Sequence, residues 1–202
     1  TSYFLIFFAM SDAVFSAEPY GVGLARRFAA RHVLVDLGRS LVPISGTQVR
    51  ARPAEAWPVL SRPVRRGLAL RVVLVGAEST GKSTLAEALS SAIRARGGAH
   101  AFTSWVPEYG RELTVQKLAE ARACAQLLGA PMPGMEELSW GTQDFVHIAA
   151  EQNRLEHAAA EHAPIVVADT DALATAIWHE RYLGVRAPEV EAEDSGFMYY
   201  GR

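Results

Sequence analysis

Apolar and polar positions alternate along the chain in a way that predicts strands and helices in turn. Short apolar runs rich in β-formers at Phe4–Phe8, Ala13–Ser16 and His32–Asp36 read as strands. Leu24, Ala25, Phe28 and Ala29, at helical spacing, predict a helix between the last two. From Arg52 to Gly67 the pattern breaks. Pro53, Pro58 and Pro63 stand among four arginines, and proline at that spacing blocks both pairing and long helices, so a domain boundary is expected here. The expected domains are 1–66 and 67–202.

Beyond the boundary, Leu70–Val75 is a nearly continuous apolar run, the pattern of a parallel strand covered on both faces. Leu85, Leu89, Ala92 and Ile93 share one face of a following helix, which Gly97-Gly98 should stop. A strand is expected around Ala101–Val106 and a helix near Leu118–Leu128. After a loop marked by Pro131 and Pro133 comes a helix with the stripe Phe145, Ile148, Ala149, Gln152 and Leu155. Ile165–Ala168 reads as a strand and Leu173 to Tyr182 as the last helix. Such alternation predicts an α/β fold with a parallel sheet.

Half of the 202 residues are apolar, enough for a real core, and the net charge of -2 gives no long-range attraction for polyanions. Nucleic acid is therefore not an expected partner, and phosphate binding has to come from local geometry. Cys124 is the only cysteine, so no internal disulfide forms and the cytoplasm is the expected compartment. Tyr3–Ala9 is far shorter than a membrane span. Six histidines show no zinc-ligand spacing. A chain that enters a strand directly from Thr1 and stops after Tyr199-Tyr-Gly-Arg202 suggests a fragment. It predicts an open edge on the Leu70–Val75 strand and a tendency to self-associate.

Between the 70–75 strand and the next helix stands Gly76-Ala-Glu-Ser-Thr-Gly-Lys-Ser83, the Gly-x-x-x-x-Gly-Lys-Ser pattern of a phosphate-binding loop. Glycines serve where the backbone must turn unusually and bring its N–H groups to phosphate oxygens. Gly76, Glu78, Ser79, Thr80, Gly81, Lys82, Ser83 and Thr84 are the candidate ATP site. Lys82 reaches the β- and γ-phosphates and Ser83 offers its hydroxyl to Mg²⁺. Asp169, directly after the 165–168 strand, is the candidate second Mg²⁺ organiser. Asp169 or Asp171 would equally serve as a helix cap. Trp105-Val-Pro-Glu-Tyr-Gly-Arg111 leaves a strand on the side where α/β sheets place ligands. In it Glu108 is the candidate base, Trp105 and Tyr109 stack on a ring, and Arg111 meets phosphate, with Asp171 as a further acceptor contact. An ordinary polar loop with its aromatics packed inward fits the same residues.

Taken with Ser16-Ala-Glu-Pro-Tyr-Gly21, His32–Asp36, Pro43-Ile-Ser-Gly-Thr47 with Arg50, and Tyr182-Leu-Gly184, these motifs resemble the bifunctional nicotinamide mononucleotide adenylyltransferase and ribosylnicotinamide kinase family, the NadR type. The resemblance implies a P-loop kinase-type sheet, incomplete at its C-terminal end, preceded by part of a Rossmann-like nucleotidyltransferase domain. It implies phosphorylation of nicotinamide riboside by ATP and Mg²⁺ in NAD salvage. Ser45, Gly46, Thr47 and Arg50 resemble the second ATP motif of nucleotidyltransferases, although the same residues read as a Ser/Thr helix cap. The HxGH pair of that enzyme class does not occur in the chain, so the adenylyltransferase site is incomplete. A kinase for another nucleoside-like metabolite and an ATP-binding remnant without turnover remain alternatives.

Overall fold

The computed structural model describes residues 11–194. The expected strand Phe4–Phe8 and the tail after Asp194 lie outside the described residues. Two compact units follow one another in the chain, Thr1–Val59 and Leu60–Arg202.

In the first unit, β1 (Ala13–Ser16) and β2 (Arg31–Leu34) form a parallel pair in the register Ala13↔Arg31, joined by helix α1 (Gly21–Arg27). Ser16 fixes this crossover. Its hydroxyl donates to the Glu18 carbonyl at 2.8 Å and lies 2.9 Å from Nε2 of His32. A Cβ on Gly21 would meet the Ser16 hydroxyl at 2.0 Å, so only glycine lets α1 start so close to β1. Asp36 organises the next loop by accepting from the backbone of Ser40, Leu41 and Val42, and these bonds hold its carboxyl below the usual range against the opposing effect of desolvation. Two short helices, α2 (Gly46–Ala51) and α3 (Pro53–Ala56), complete the unit.

The second unit opens with α4 (Arg62–Leu68), which leads into β3 (Leu70–Val73). Its sheet is parallel throughout, in the order β3-β5-β4, with β4 at Ser104–Val106 and β5 at Ile165–Ala168. The centre of the sheet explains its burial. Val166, Val167 and Ala168 of β5 are inaccessible, whereas Leu70 at the start of β3 is 59% exposed. Among the described residues β3 pairs with β5 alone, so the expected open edge is present and the expected cover on both faces is partial. Helix α7 (Thr142–His162) lays Ala160 against Val166 and Ala168, together with Val106.

Helices α5 (Lys82–Arg94), α6 (Tyr109–Leu128), α8 (Ala172–Leu183) and α9 (Pro188–Glu191) complete the second unit. Gly129 and Gly184 end α6 and α8 in left-handed dihedrals, where a side chain would be strained, whereas α5 ends at Arg94 with Ala95 as a right-handed cap. Two expectations are corrected. The stretch before Ser104 is a 3₁₀ turn over Gly98–Phe102 rather than strand, because Gly97 and Gly98 both take positive φ and coil the chain back. Helix α6 starts nine residues before Leu118, at Tyr109, so Tyr109 and Arg111 stand on a helix and not on a loop. Beyond Gly184, α9 returns to the core, burying Ala187 and Val190 beside Phe145 and Ala149.

Candidate functional site

The site forms where β3, β4 and β5 end on the same side of a parallel sheet, the crevice side of an α/β fold. After β3 the chain turns through Gly76 at φ 155°, Ser79 at φ 58° and Gly81 at φ 84°, and α5 begins at Lys82. Ser79 is a non-glycine residue in left-handed space, a conformation imposed by the loop. The loop is drawn inward on one carbonyl. Ala77 O accepts from both Lys82 Nζ and Thr80 Oγ1 at 2.8 Å. Ser83 and Thr84 lie in the first turn of α5, where free N–H groups and the helix dipole favour an anion.

Opposite stands the start of α6. Glu108 is its N-cap residue, with a side chain 29% exposed, and it pairs with Arg111 at 3.4 Å. Arg111 also donates to the Ser83 hydroxyl at 3.2 Å, so the two helix starts are joined directly. Tyr109 is turned elsewhere: its hydroxyl lies 3.0 Å from Nε2 of His147, with the rings in T-shaped contact at 5.5 Å. Burial and the nearby carboxylates of Glu151 and Glu112 push the Tyr109 phenol upward. Trp105 is within β4, and its indole N–H is buried without a hydrogen-bond partner.

Asp169 is 1% exposed, and its backbone N–H donates to Val106 O at 2.9 Å, tying the ends of β5 and β4. Its Oδ1 is buried with no hydrogen-bond partner, an orphan acceptor of the kind that marks a ligand position. Asp171 takes the capping role instead, accepting from Ala174 N at 2.8 Å. Between them Thr170 is held at φ 112°, outside the range of β-branched residues, so this turn stores strain beside the orphan carboxylate. Among the described residues no group of three or more His, Cys, Asp or Glu side chains is gathered for a metal. One carboxylate plus a hydroxyl suits Mg²⁺, which takes most of its ligands from water and phosphate. The chemistry of Asp169 and Ser83 fits that ion.

Several contacts escape the sequence. Tyr182 and Arg181, at the end of α8, reach Glu78 of the phosphate loop, Arg181 at 3.9 Å and Tyr182 through a short hydrogen bond that raises its phenol. Gln152 and Glu156 of α7 are buried, and Gln152 meets the start of α6 at the Tyr109 amide. The sequence hint was two polar residues in an apolar stripe. In the first unit, Ser45 caps α2 through a reciprocal box with Gln48, and Arg50 reaches Thr47 at 3.5 Å. These are the contacts of a helix cap. A cavity of about 380 Å³ lies beside them, lined by Ile44, Thr47, Gln48 and Arg52 among others.

Fold and site together define a P-loop nucleotide-binding protein of the kinase-like α/β class. The chain belongs to the AAA domain family, whose model matches residues 71–201. It is 28% identical to the Escherichia coli trifunctional NAD biosynthesis/regulator protein NadR over 161 residues, 79% of this chain and 34% of that protein. It is 30% identical to thymidylate kinase of Gluconobacter oxydans over 129 residues, 62% of this chain and 55% of the kinase. The fold matches a crystal structure of NadR in complex with NR at TM-score 0.53 and 23% identity, covering 90% of this chain and 45% of that one. It also matches NadR in complex with NAD and AMP-PNP at TM-score 0.51 and 21% identity, covering 91% and 46%. The resemblance to the NadR type read from the motifs is thus borne out. The chain spans about a third of the length of the curated NadR relatives. No helix among the described residues is long and apolar enough to cross a membrane.

Proposed function

We propose that this chain is an ATP-dependent kinase that phosphorylates nicotinamide riboside, or a closely similar nucleoside, in NAD salvage. The observation that carries the reading is the meeting of the two helix starts: the phosphate loop with Lys82 on one side, and Glu108 with Arg111 on the other, bridged by Arg111 to Ser83. The acceptor oxygen attacks the γ-phosphorus of ATP while the bond from that phosphorus to the β–γ bridging oxygen breaks, leaving ADP. Glu108 takes the proton of the acceptor hydroxyl. Lys82 leaves the Ala77 carbonyl for the phosphates, and the α5 start neutralises the charge that spreads over them. Asp169 and Ser83 would hold Mg²⁺, which supplies further neutralisation of the phosphate charge. Trp105 stands on the acceptor side in β4, Asp171 acts through the α8 start that it caps, and the Tyr109 amide is where Gln152 holds the start of α6.

Arg111 is already paired with Glu108, which favours an uncharged acceptor over one that arrives with its own phosphate. The likeness to thymidylate kinase supports the broader reading of a nucleotide-site kinase. A single exposed thiol, Cys124, suits the reducing cytoplasm. The test is a turnover assay with ATP and Mg²⁺ against nicotinamide riboside, other nucleosides and thymidine monophosphate. Product from nicotinamide riboside above all others is expected. ATP binding with no product from any acceptor would replace this reading with a nucleotide-binding protein lacking turnover.

A further inference from the structure

The first turn of α6 needs partners for its free N–H groups, and Glu108, its N-cap residue, supplies none from its side chain. The Tyr109 N–H instead donates to Oε1 of Gln152, at 3.1 Å, from a helix 43 residues further along. Gln152 is inaccessible to solvent. A backbone N–H only donates, so the atom facing it has to be the amide oxygen, and the Gln152 NH₂ must then find an acceptor elsewhere. It does: Nε2 donates to Oε1 of Glu156 at 3.3 Å, one helical turn on and 1% exposed. Burial and the nearby Asp171 charge push the Glu156 carboxyl up to about 7, opposed by Gln152 and by Arg71 of β3. In either protonation state it offers the Gln152 amide an acceptor oxygen.

Two buried polar side chains interrupt a stripe that is otherwise Phe145, Ile148, Ala149 and Ala160. Leucine at either position would avoid the desolvation cost, and buried polar pairs of this kind specify geometry rather than add stability. We propose that Gln152, oriented by Glu156, is a positioning residue that fixes Glu108 for the acceptor by anchoring the Tyr109 amide. This rests on the reading of Glu108 as the base.

The experiment compares wild type, Gln152→Met, Gln152→Glu and the exchange pair Gln152→Glu with Glu156→Gln, using ATP and nicotinamide riboside. In the exchanged pair the residue 156 amide donates to the residue 152 carboxylate, whose other oxygen accepts from Tyr109, so the anchor is rebuilt with its polarity reversed. Gln152→Met should lower kcat on the order of tenfold to a hundredfold, the scale of a small misplacement of a reacting group, while the Kd for ATP stays unchanged. Gln152→Glu alone sets two carboxyls side by side and should be as poor, and the exchange pair should recover most of the loss. Amide exchange at Tyr109, read on the same samples, should lose protection in Gln152→Met, which offers that N–H no oxygen acceptor, and keep it in the exchange pair. Wild-type kinetics in Gln152→Met, or an exchange pair no better than Gln152→Glu, would overturn the proposal. Unchanged Tyr109 protection in Gln152→Met would overturn it as well. Absence of turnover in the wild type would count against the kinase reading, while the Tyr109 exchange pattern would still decide the anchor.

Discussion

Arg111 on the first turn of α6 donates from Nη2 to the hydroxyl of Ser83 on the first turn of α5, at 3.2 Å. The same nitrogen lies 3.4 Å from Glu108. One guanidinium therefore ties the phosphate loop to the acceptor side. Arg111→Lys keeps the charge but replaces the guanidinium with a compact, more strongly hydrated ammonium on a shorter stem, which should weaken the bridge from Ser83 to Glu108. The expected outcome is a raised KM for the acceptor with a smaller change in ATP affinity, measured by steady-state kinetics and calorimetry.

Lys82 rests on Ala77 O and is the full positive charge that the phosphate loop carries at the start of α5. Lys82→Ala should abolish turnover and weaken ATP binding, because the charge lost is the one aimed at the β- and γ-phosphates. Unchanged phosphorylation in this variant would sink the phosphate-loop assignment.

Glu108→Gln keeps the volume of the side chain and leaves the phosphate loop untouched. ATP binding should persist while turnover falls by roughly a hundredfold or more, as for a lost general base. Normal turnover on nicotinamide riboside would show that Glu108 only pairs with Arg111.

The two aspartates after β5 should separate in their effects. Asp171→Ala removes a helix cap and should destabilise the fold by about 1 kcal/mol, read as a lower Tm. Asp169→Asn should eliminate turnover without a comparable loss of stability, since the Asp169 Oδ1 makes no hydrogen bond that the fold depends on. A Tm drop in Asp169→Asn equal to that of Asp171→Ala would argue that both are structural.

Glu156 should leave a signature in the pH dependence of stability. Its carboxyl is raised from about 4.5 in the unfolded chain to about 7 in the fold, so the folded state binds the extra proton between those values. Stability from this group is present below the lower value and is lost as pH rises through about 7. Melting temperatures of wild type should therefore fall, relative to Glu156→Gln, between pH 5 and pH 8. Parallel curves for the two proteins would show that Glu156 does not titrate in that window.

Local order was legible wherever one short segment fixes its own conformation. The ranges of β1 and β5 follow from their apolar runs, and the phosphate loop follows from Gly76, Gly81 and Lys82, because dihedral freedom and charge at fixed spacing are properties of the residues themselves. The capping of α2 by Ser45 was also open to sequence reading, since its partner Gln48 is three residues away. The start of α6 was not. Its first turn carries Arg111 and Glu112 on exposed positions and little apolar stripe, and what holds it is Gln152 from α7, with Lys117 reaching Asp144 at 2.8 Å further along.

By itself, then, the chain determined an alternating α/β fold and a phosphate-binding loop, since both rest on periodicity and on residues close in sequence. Tertiary structure alone decided which aspartate is left with an orphan oxygen and which one caps a helix, for two carboxylates two residues apart differ only in what surrounds them. It also decided that Arg111 meets Ser83 across 28 residues, that Tyr182 meets Glu78 across 104, and that Gln152 meets the Tyr109 amide across 43. Contacts at such separations depend on how helices pack on the sheet, and no spacing along the chain encodes them.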